Sequence, residues 1–302
     1  MTAIPAVQTE ALGKRYGSHW ALRDCSLTVP AGSVTALVGP NGAGKTTLLH
    51  LAIGLTEPTT GEVHVLGWSA REQPQLVLPR VGFVAQDHPL YRGFKLAEML
   101  RLGRELNPHW DDELARRRLA GLGIPLEQKV GRLSGGQQAQ VALTLALAKR
   151  PELLVLDEPV AALDPLARRE FLQSLMEAVA DGGLTVILSS HIVAELERVC
   201  DHLVILAAGG VRLVGSIDEI LGSHRLLTGP RTDPAAIARM HSVIEESHTG
   251  RQTTLLVRVN GHVVDARWRI DEVGLEEIVL AYLGQLTARP SVSEPTPAEI
   301  AS

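Results

Sequence analysis

Long apolar runs are what this 302-residue chain lacks most plainly. The longest, Val141 to Ala148 and Leu203 to Val211, fall well short of the ~18 residues that read as a membrane-spanning helix. The chain is therefore not expected to cross a membrane by itself. Its start, Met1-Thr2-Ala3-Ile4-Pro5, has no basic segment followed by an apolar core, so no signal peptide is expected. Cysteine is nearly absent. Cys25 and Cys200 stand far apart in apolar surroundings and read as buried free thiols of a reducing compartment. Lysine is scarce, with Lys14, Lys45, Lys95, Lys129 and Lys149 the only ones. With 29 basic against 34 acidic residues and a net charge of −5, the charge balance does not point to nucleic acid as a partner. There is no internal repeat and no long heptad segment.

What is present is organised around Gly39-Pro40-Asn41-Gly42-Ala43-Gly44-Lys45-Thr46-Thr47. It fits the phosphate-loop pattern G-x-x-x-x-G-K-[ST]. Gly39, Gly42 and Gly44 are expected to take positive φ and bring backbone close to an anion. Successive N–H groups then form a concave nest for phosphates. A helix starting at about Lys45 adds the positive end of its dipole. The Lys45 ammonium suits β and γ phosphates, and the Thr46 hydroxyl is a hard oxygen ligand for Mg²⁺. The flanks agree. Ser33 to Val38 reads as a buried strand, and Thr47 to Ile53 has helical spacing ended by Gly54.

Other segments add candidates in order. Val7 to Val29 reads as an antiparallel β layer containing Tyr16, which is either core packing or a ring for a nucleotide base to stack on. Gly61 to Gly67 is a short alternating strand. Val81 to Ala85 is a strand ending in Gln86, an amide that would sit near a γ-phosphate and metal if this strand lay beside the phosphate-loop strand. A helical insert follows over about 93–150. Within it the Arg116-Arg117-Arg118 run reads as a solvated face beside Asp111, Asp112 and Glu113. Leu133-Ser134-Gly135-Gly136-Gln137 precedes a helix reaching Arg150. Ser134 is an N-cap there, or part of a second anion-binding helix start. Leu153 to Leu156 reads as a strand covered on both faces. It ends in Asp157-Glu158, two acids that are costly to bury unless paired or bound to metal. Asp157 is placed for Mg²⁺, and Glu158 to orient the attacking water or take its proton. Asp164-Pro165 opens a further helix. Thr185 to Leu188 is another buried strand, ending in Ser189-Ser190-His191, where His191 is structural or touches a γ-phosphate. Gly209-Gly210 marks a hairpin.

Taken together, the ordered set resembles the nucleotide-binding subunit of ABC transporters over about Val7 to Leu221. The resemblance implies an α/β fold: a P-loop NTPase core with an antiparallel β subdomain and a helical signature subdomain, here followed by a small C-terminal α/β extension. The expected division is 1–222 for the ATP-binding domain, 223–287 for the accessory domain and 288–302 for a disordered tail. It implies ATP hydrolysis with ATP and Mg²⁺. Residues 39–47 and Tyr16 would hold the nucleotide; Thr46, Gln86 and Asp157 would hold the metal; Glu158, His191 and Gln86 would be catalytic. It also implies a head-to-tail pair of nucleotide-binding subunits, homomeric or with a related chain, in which Ser134, Gly135, Gly136 and Gln137 bind the partner's ATP. The integral membrane subunit would be a separate chain, and this one would sit in the cytoplasm on the inner face of the membrane. Gln140 departs from the family, where a basic residue is common, and so does Val160-Ala161-Ala162. The C-terminal unit is similar to that of bacterial subunits serving drug, antibiotic or lipid exporters. Export of a small molecule is the expectation; an import subunit or a soluble regulatory ATPase are the alternatives.

Overall fold

The computed structural model describes residues 4–231, 235–250, 252–259 and 267–284. The chain divides into two compact units at Gly222/Ser223. In the first unit the strands are β1 Val7–Tyr16, β2 His19–Val29, β3 Val34–Val38, β4 Thr60–Val65, β5 Val81–Val84, β6 Leu153–Leu156, β7 Thr185–Ser190, β8 His202–Ala207 and β9 Gly210–Ser216. Strands β2, β1 and β4 form a three-stranded antiparallel sheet. The others form a six-stranded sheet of order β5-β6-β7-β3-β8-β9, parallel except for the β8–β9 hairpin.

Composition explains why β3, β6 and β7 lie inside. All three are buried along their whole length, and strands covered on both faces need near-continuous apolar runs. Because they are parallel, their carboxyl ends emerge along one edge, which is where open α/β sheets gather their ligands. Register holds the edge level: Val38 lies opposite Ser190, Leu156 opposite Leu188 and Val84 opposite Leu156. Strand β5 is not beside β3, since β6 and β7 stand between them. The adjacency entertained for Gln86 is therefore absent, and Gln86 reaches the site along the edge instead.

The helical insert has its own core. Helices Leu96–Leu106, Asp112–Gly121 and Gly135–Ala148 bury Leu100, Leu119, Ile124, Val130 and Val141 among themselves. The second helix begins where Asp111 Oδ1 accepts from Leu114 N at 2.8 Å, satisfying a donor that the helix itself leaves open. The arginine run is only in part a solvated face. Arg116 pairs with Asp112 and Arg117 with Glu113, each one turn away. Arg118 turns inward, with Nε buried and a terminal N–H directed at the Ser174 carbonyl. Consecutive helical residues do not face the same way, so the three side chains cannot all lie on one face. The helix expected to reach Arg150 ends at Ala148.

The second unit is a four-stranded antiparallel sheet of order β11-β12-β10-β13, with β10 His224–Pro230, β11 Ser242–Thr249, β12 Gln252–Arg258 and β13 Arg269–Asp271. Helices Ala235–Met240 and Leu275–Gly284 accompany it. Strand β11 is largely polar and exposed, and β10 ends in Gly-Pro, so neither shows the alternation a strand reading rests on. The segment 288–302 lies outside the described residues.

Both cysteines are free and buried. Burial pushes the Cys200 thiol up to about 12 and raises that of Cys25. Stability from keeping Cys200 neutral is thus full below its ordinary value of 9.0 and is lost as pH climbs toward 12. Since the thiolate is the reactive form, an alkylating reagent near pH 8 is expected to label neither cysteine in the native chain and both in denaturant. Labelling of native Cys200 at the denatured rate would contradict this.

Candidate nucleotide site

The helix Lys45–Ala52 starts at Gly44, which has φ 101° and offers no side-chain cap. No acid stands in its first turn. Its positive end is therefore left to whatever occupies the loop. Lys45 opens this helix yet is only 4 % exposed. Its ammonium donates to the carbonyls of Gly39 at 2.7 Å and Pro40 at 3.3 Å. It also pairs with Glu158 Oε1 at 3.0 Å. On the far side of that carboxylate, His191 Nδ1 stands 3.2 Å from Oε2. One acid thus joins the phosphate-loop cation to the histidine at the end of β7.

Glycine is required in the loop for two reasons. Gly42 and Gly44 take φ of 79° and 101°, the left-handed region that penalises a Cβ. Gly39 does not take positive φ, contrary to expectation. Its constraint is space: a Cβ there would stand 2.1 Å from the Leu206 carbonyl of β8.

The neighbouring acid is held differently. Asp157 is 2 % exposed, and its Oδ1 accepts from Ser189 Oγ at 2.8 Å. The same hydroxyl oxygen accepts from the Glu158 N–H at 2.8 Å. Ser189 therefore aligns both acids from β7. Among the described residues no cationic side chain pairs with Asp157. A buried carboxylate in that state suits a hard cation; the Thr46 hydroxyl and Gln86 amide, further oxygen donors, line a cavity with Glu158, and Asp157 is not part of that lining. Glu158 itself has φ 43°, a strained conformation for a side-chain-bearing residue and one that clusters at functional sites.

Tyr16, residues Asn41 to Thr47, Gln86, Glu158 and His191 all line one open cavity of about 660 Å³. Tyr16 is half exposed, with Lys14 Nζ 5.1 Å from its ring centroid; the core-packing alternative for it is not what the structure has. His19 and Ala21 line the same cavity and were not picked out from sequence, while Ala161, named there only within a departure from the family pattern, lines it too. The signal for His19 was pairing: it lies opposite Tyr16 at the end of the β1–β2 ladder, and opposed residues share a face. Ser134 to Gln137 do not reach this cavity. Ser134 Oγ accepts from Gln137 N at 3.2 Å, and Gln137 Oε1 accepts from Ser134 N at 3.0 Å. This capping box leaves the N–H groups of Gly135 and Gly136 open. Gln140, on the same helix, is buried with both amide atoms unpartnered.

A phosphate loop at a sheet edge, an acid pair and an outward-facing capped helix define a nucleoside-triphosphate hydrolase of the P-loop class. Known proteins narrow this. The family description "ABC transporter" matches residues 22–161. The sulfate/thiosulfate import ATP-binding protein CysA of Synechococcus elongatus is 34 % identical over 222 residues, covering 71 % of this chain and 63 % of that protein. The Nod factor export ATP-binding protein I of Rhizobium meliloti is 37 % identical over 236 residues, covering 73 % and 70 %. A solved structure described as the ATP binding subunit of an ABC transporter superposes with a TM-score of 0.64 at 32 % identity, over 71 % of this chain and 91 % of that one. The chain belongs to the ATP-binding family of ABC transporters, whose members hydrolyse ATP.

A Cβ at Gly44 would stand 2.5 Å from the Ala21 carbonyl and 2.6 Å from Leu22 Cδ2, whereas one at Gly42 meets nothing within 4 Å. Gly44→Ala is expected to lower the melting temperature of the ligand-free chain clearly more than Gly42→Ala, which carries only the φ cost of roughly 1–2 kcal/mol. Equal shifts would mean that crowding by β2 does not constrain the loop.

Proposed function

We propose that the chain is the ATP-hydrolysing subunit of a membrane transporter that exports a small molecule, working in the cytoplasm on a separate membrane-spanning subunit. The observation that carries the reading is the Lys45–Glu158–His191 chain across the mouth of the phosphate loop. An arriving triphosphate takes Lys45 from its loop carbonyls and from Glu158. The freed carboxylate then faces the γ-phosphate, where it accepts a proton from the attacking water. The oxygen–phosphorus bond to ADP breaks as the new one forms, and Lys45 and the open helix end stabilise the charge. His191 steadies Glu158 and contacts the γ-phosphate. Tyr16 offers its exposed face to the base. Thr46, Gln86 and Asp157 would hold Mg²⁺, which neutralises phosphate charge when bound.

Ser134, Gly135, Gly136 and Gln137 lie outside their own chain's cavity, which supports a head-to-tail pair of chains. The open N–H groups of Gly135 and Gly136 then meet the γ-phosphate held by the partner chain. ATP joins the pair because both helix starts bind the same group, and hydrolysis removes it.

A membrane partner is supported by an apolar groove of about 340 Å³ lined by Phe83, Ala85, His88, Leu90, Met99 and Leu106 among others. It begins one residue from Gln86, so one segment lines both groove and nucleotide cavity. The exposed, stacked rings of Tyr91 and Phe94 follow directly. Among the described residues no helix is long and apolar enough to cross a membrane, which fits a separate spanning subunit. The relatives include both import and export ATP-binding proteins; the export reading rests on the resemblance of the short C-terminal unit to those of exporter subunits.

Glu158→Gln is expected to keep ATP binding and lower turnover by about 10²-fold or more. Lys45→Ala is expected to weaken nucleotide binding by at least about tenfold. Steady-state hydrolysis and nucleotide titration check both. Normal turnover by Glu158→Gln would remove it from the base role, and an unchanged Kd for Lys45→Ala would contradict the phosphate-loop assignment.

A further inference from the structure

We infer that Ser189 is a positioning residue for hydrolysis, and that its single hydroxyl sets both the metal-binding orientation of Asp157 and the placement of Glu158. The inference rests on the metal and base roles given to those two acids above. A hydroxyl has one proton to give. The Ser189 oxygen accepts from the Glu158 N–H at 2.8 Å, and its own proton goes to Asp157 Oδ1, also at 2.8 Å. Ser189 is fully buried in a strand buried along its whole length, so solvent does not stand in for either bond. The next serine is engaged differently. Ser190 Oγ accepts from Ile192 N at 3.0 Å, a bond within its own turn.

Strand lengths bring these groups together. Leu156, the last residue of β6, lies opposite Leu188, while β7 continues to Ser190. Ser189 therefore comes level with the chain as it leaves β6. On the other side, Asp157 N donates to the Val84 carbonyl of β5 at 2.9 Å. Asp157 is thus fixed at its backbone by β5 and at its carboxylate by β7. Glu158 has φ 43°, and a side-chain-bearing residue stays in that region only where its surroundings hold it. Its backbone has two holds: the N–H bond to Ser189, and its carbonyl, which accepts from Ala161 N at 3.2 Å. Removing the hydroxyl frees Asp157 Oδ1 to turn and takes away one of the two holds on Glu158. The Glu158 carboxylate then leaves the line between Lys45 and His191. Hydrogen bonds that orient a ligating carboxylate are each worth about 10–100-fold in metal affinity or activity.

Three variants of the full chain separate positioning from packing. Ser189→Ala removes the hydroxyl at nearly unchanged size, Ser189→Thr keeps it, and Ser189→Cys keeps the shape with a weak donor. Each is made twice, with Glu158 intact and in a Glu158→Gln chain that does not consume ATP. In the Glu158→Gln chain, ATP affinity is titrated with and without Mg²⁺. Ser189→Ala is expected to raise the Mg²⁺ concentration for half-maximal ATP binding about tenfold or more and to leave metal-free ATP affinity unchanged. With Glu158 intact, kcat at saturating ATP and Mg²⁺ should fall about tenfold or more, the scale of a displaced catalytic group. Ser189→Thr should recover most of both losses, and Ser189→Cys should show both in smaller measure. An unchanged Mg²⁺ dependence or a wild-type kcat in Ser189→Ala would overturn the inference. So would equal losses in Ser189→Thr and Ser189→Ala, which would make the role one of shape, or a matching fall in metal-free affinity, which would mean general damage to the site. A Glu158→Gln parent whose ATP binding ignores Mg²⁺, or a wild-type chain that binds but does not hydrolyse ATP, would overturn the roles of the acids themselves, and both are read before any Ser189 variant is compared.

Discussion

A buried ammonium cannot be left without counter-charge, and the candidate site is arranged around that constraint. Lys45 is nearly inaccessible, so its three donors must be met inside the protein. Two loop carbonyls and one carboxylate meet them. Placing that carboxylate requires the end of β6 at the same edge as the phosphate loop. This in turn requires a parallel sheet with β7 between β3 and β6. Ser189 and His191, at the end of that intervening strand, then become the groups that align the acids. Strand order, strand polarity and site chemistry are one arrangement seen at three scales.

Much of this was legible in the sequence because the signals were local. A glycine loop between an apolar strand and a helix specifies its own conformation, and acids at the end of a four-residue apolar run can only be strand-end acids. What was illegible depended on pairing. The β5 position at the sheet edge follows from which strands neighbour which, and no residue within Val81 to Gln86 reports it. The need for glycine at position 39 comes from Leu206, more than 160 residues away in the chain, and so looks from sequence like ordinary loop flexibility. Ser189 passed as a strand-end hydroxyl because its two partners, Asp157 and Glu158, lie just beyond the end of β6. Arg118 passed as solvated because helix position relative to Ser174 is a tertiary fact. In the second unit, polar strands hid behind their lack of alternation.

The departures from the family pattern fall into different physical classes. Ala162 is exposed and alters no buried contact. Gln140 is buried with its amide unpartnered, and such a group carries a desolvation cost of about 1–3 kcal/mol. It lies one and a half turns into the helix that Ser134 caps, away from the open N–H groups of Gly135 and Gly136. Its cost falls on packing within the unit rather than on the exposed helix start at Ser134 and Gly135.

The central claim is that each chain carries two halves of different sites: a phosphate loop facing its own cavity and a capped helix facing away from it. The most direct measurement mixes two variants that are each inactive alone, Lys45→Ala and Ser134→Arg, and follows ATP hydrolysis. In a head-to-tail pair of one of each, the intact phosphate loop of the second variant meets the intact helix start of the first, and one working site is restored. The account predicts recovered turnover on mixing, rising with protein concentration. Two inactive variants that stay inactive together, while wild type hydrolyses ATP under the same conditions, would contradict it.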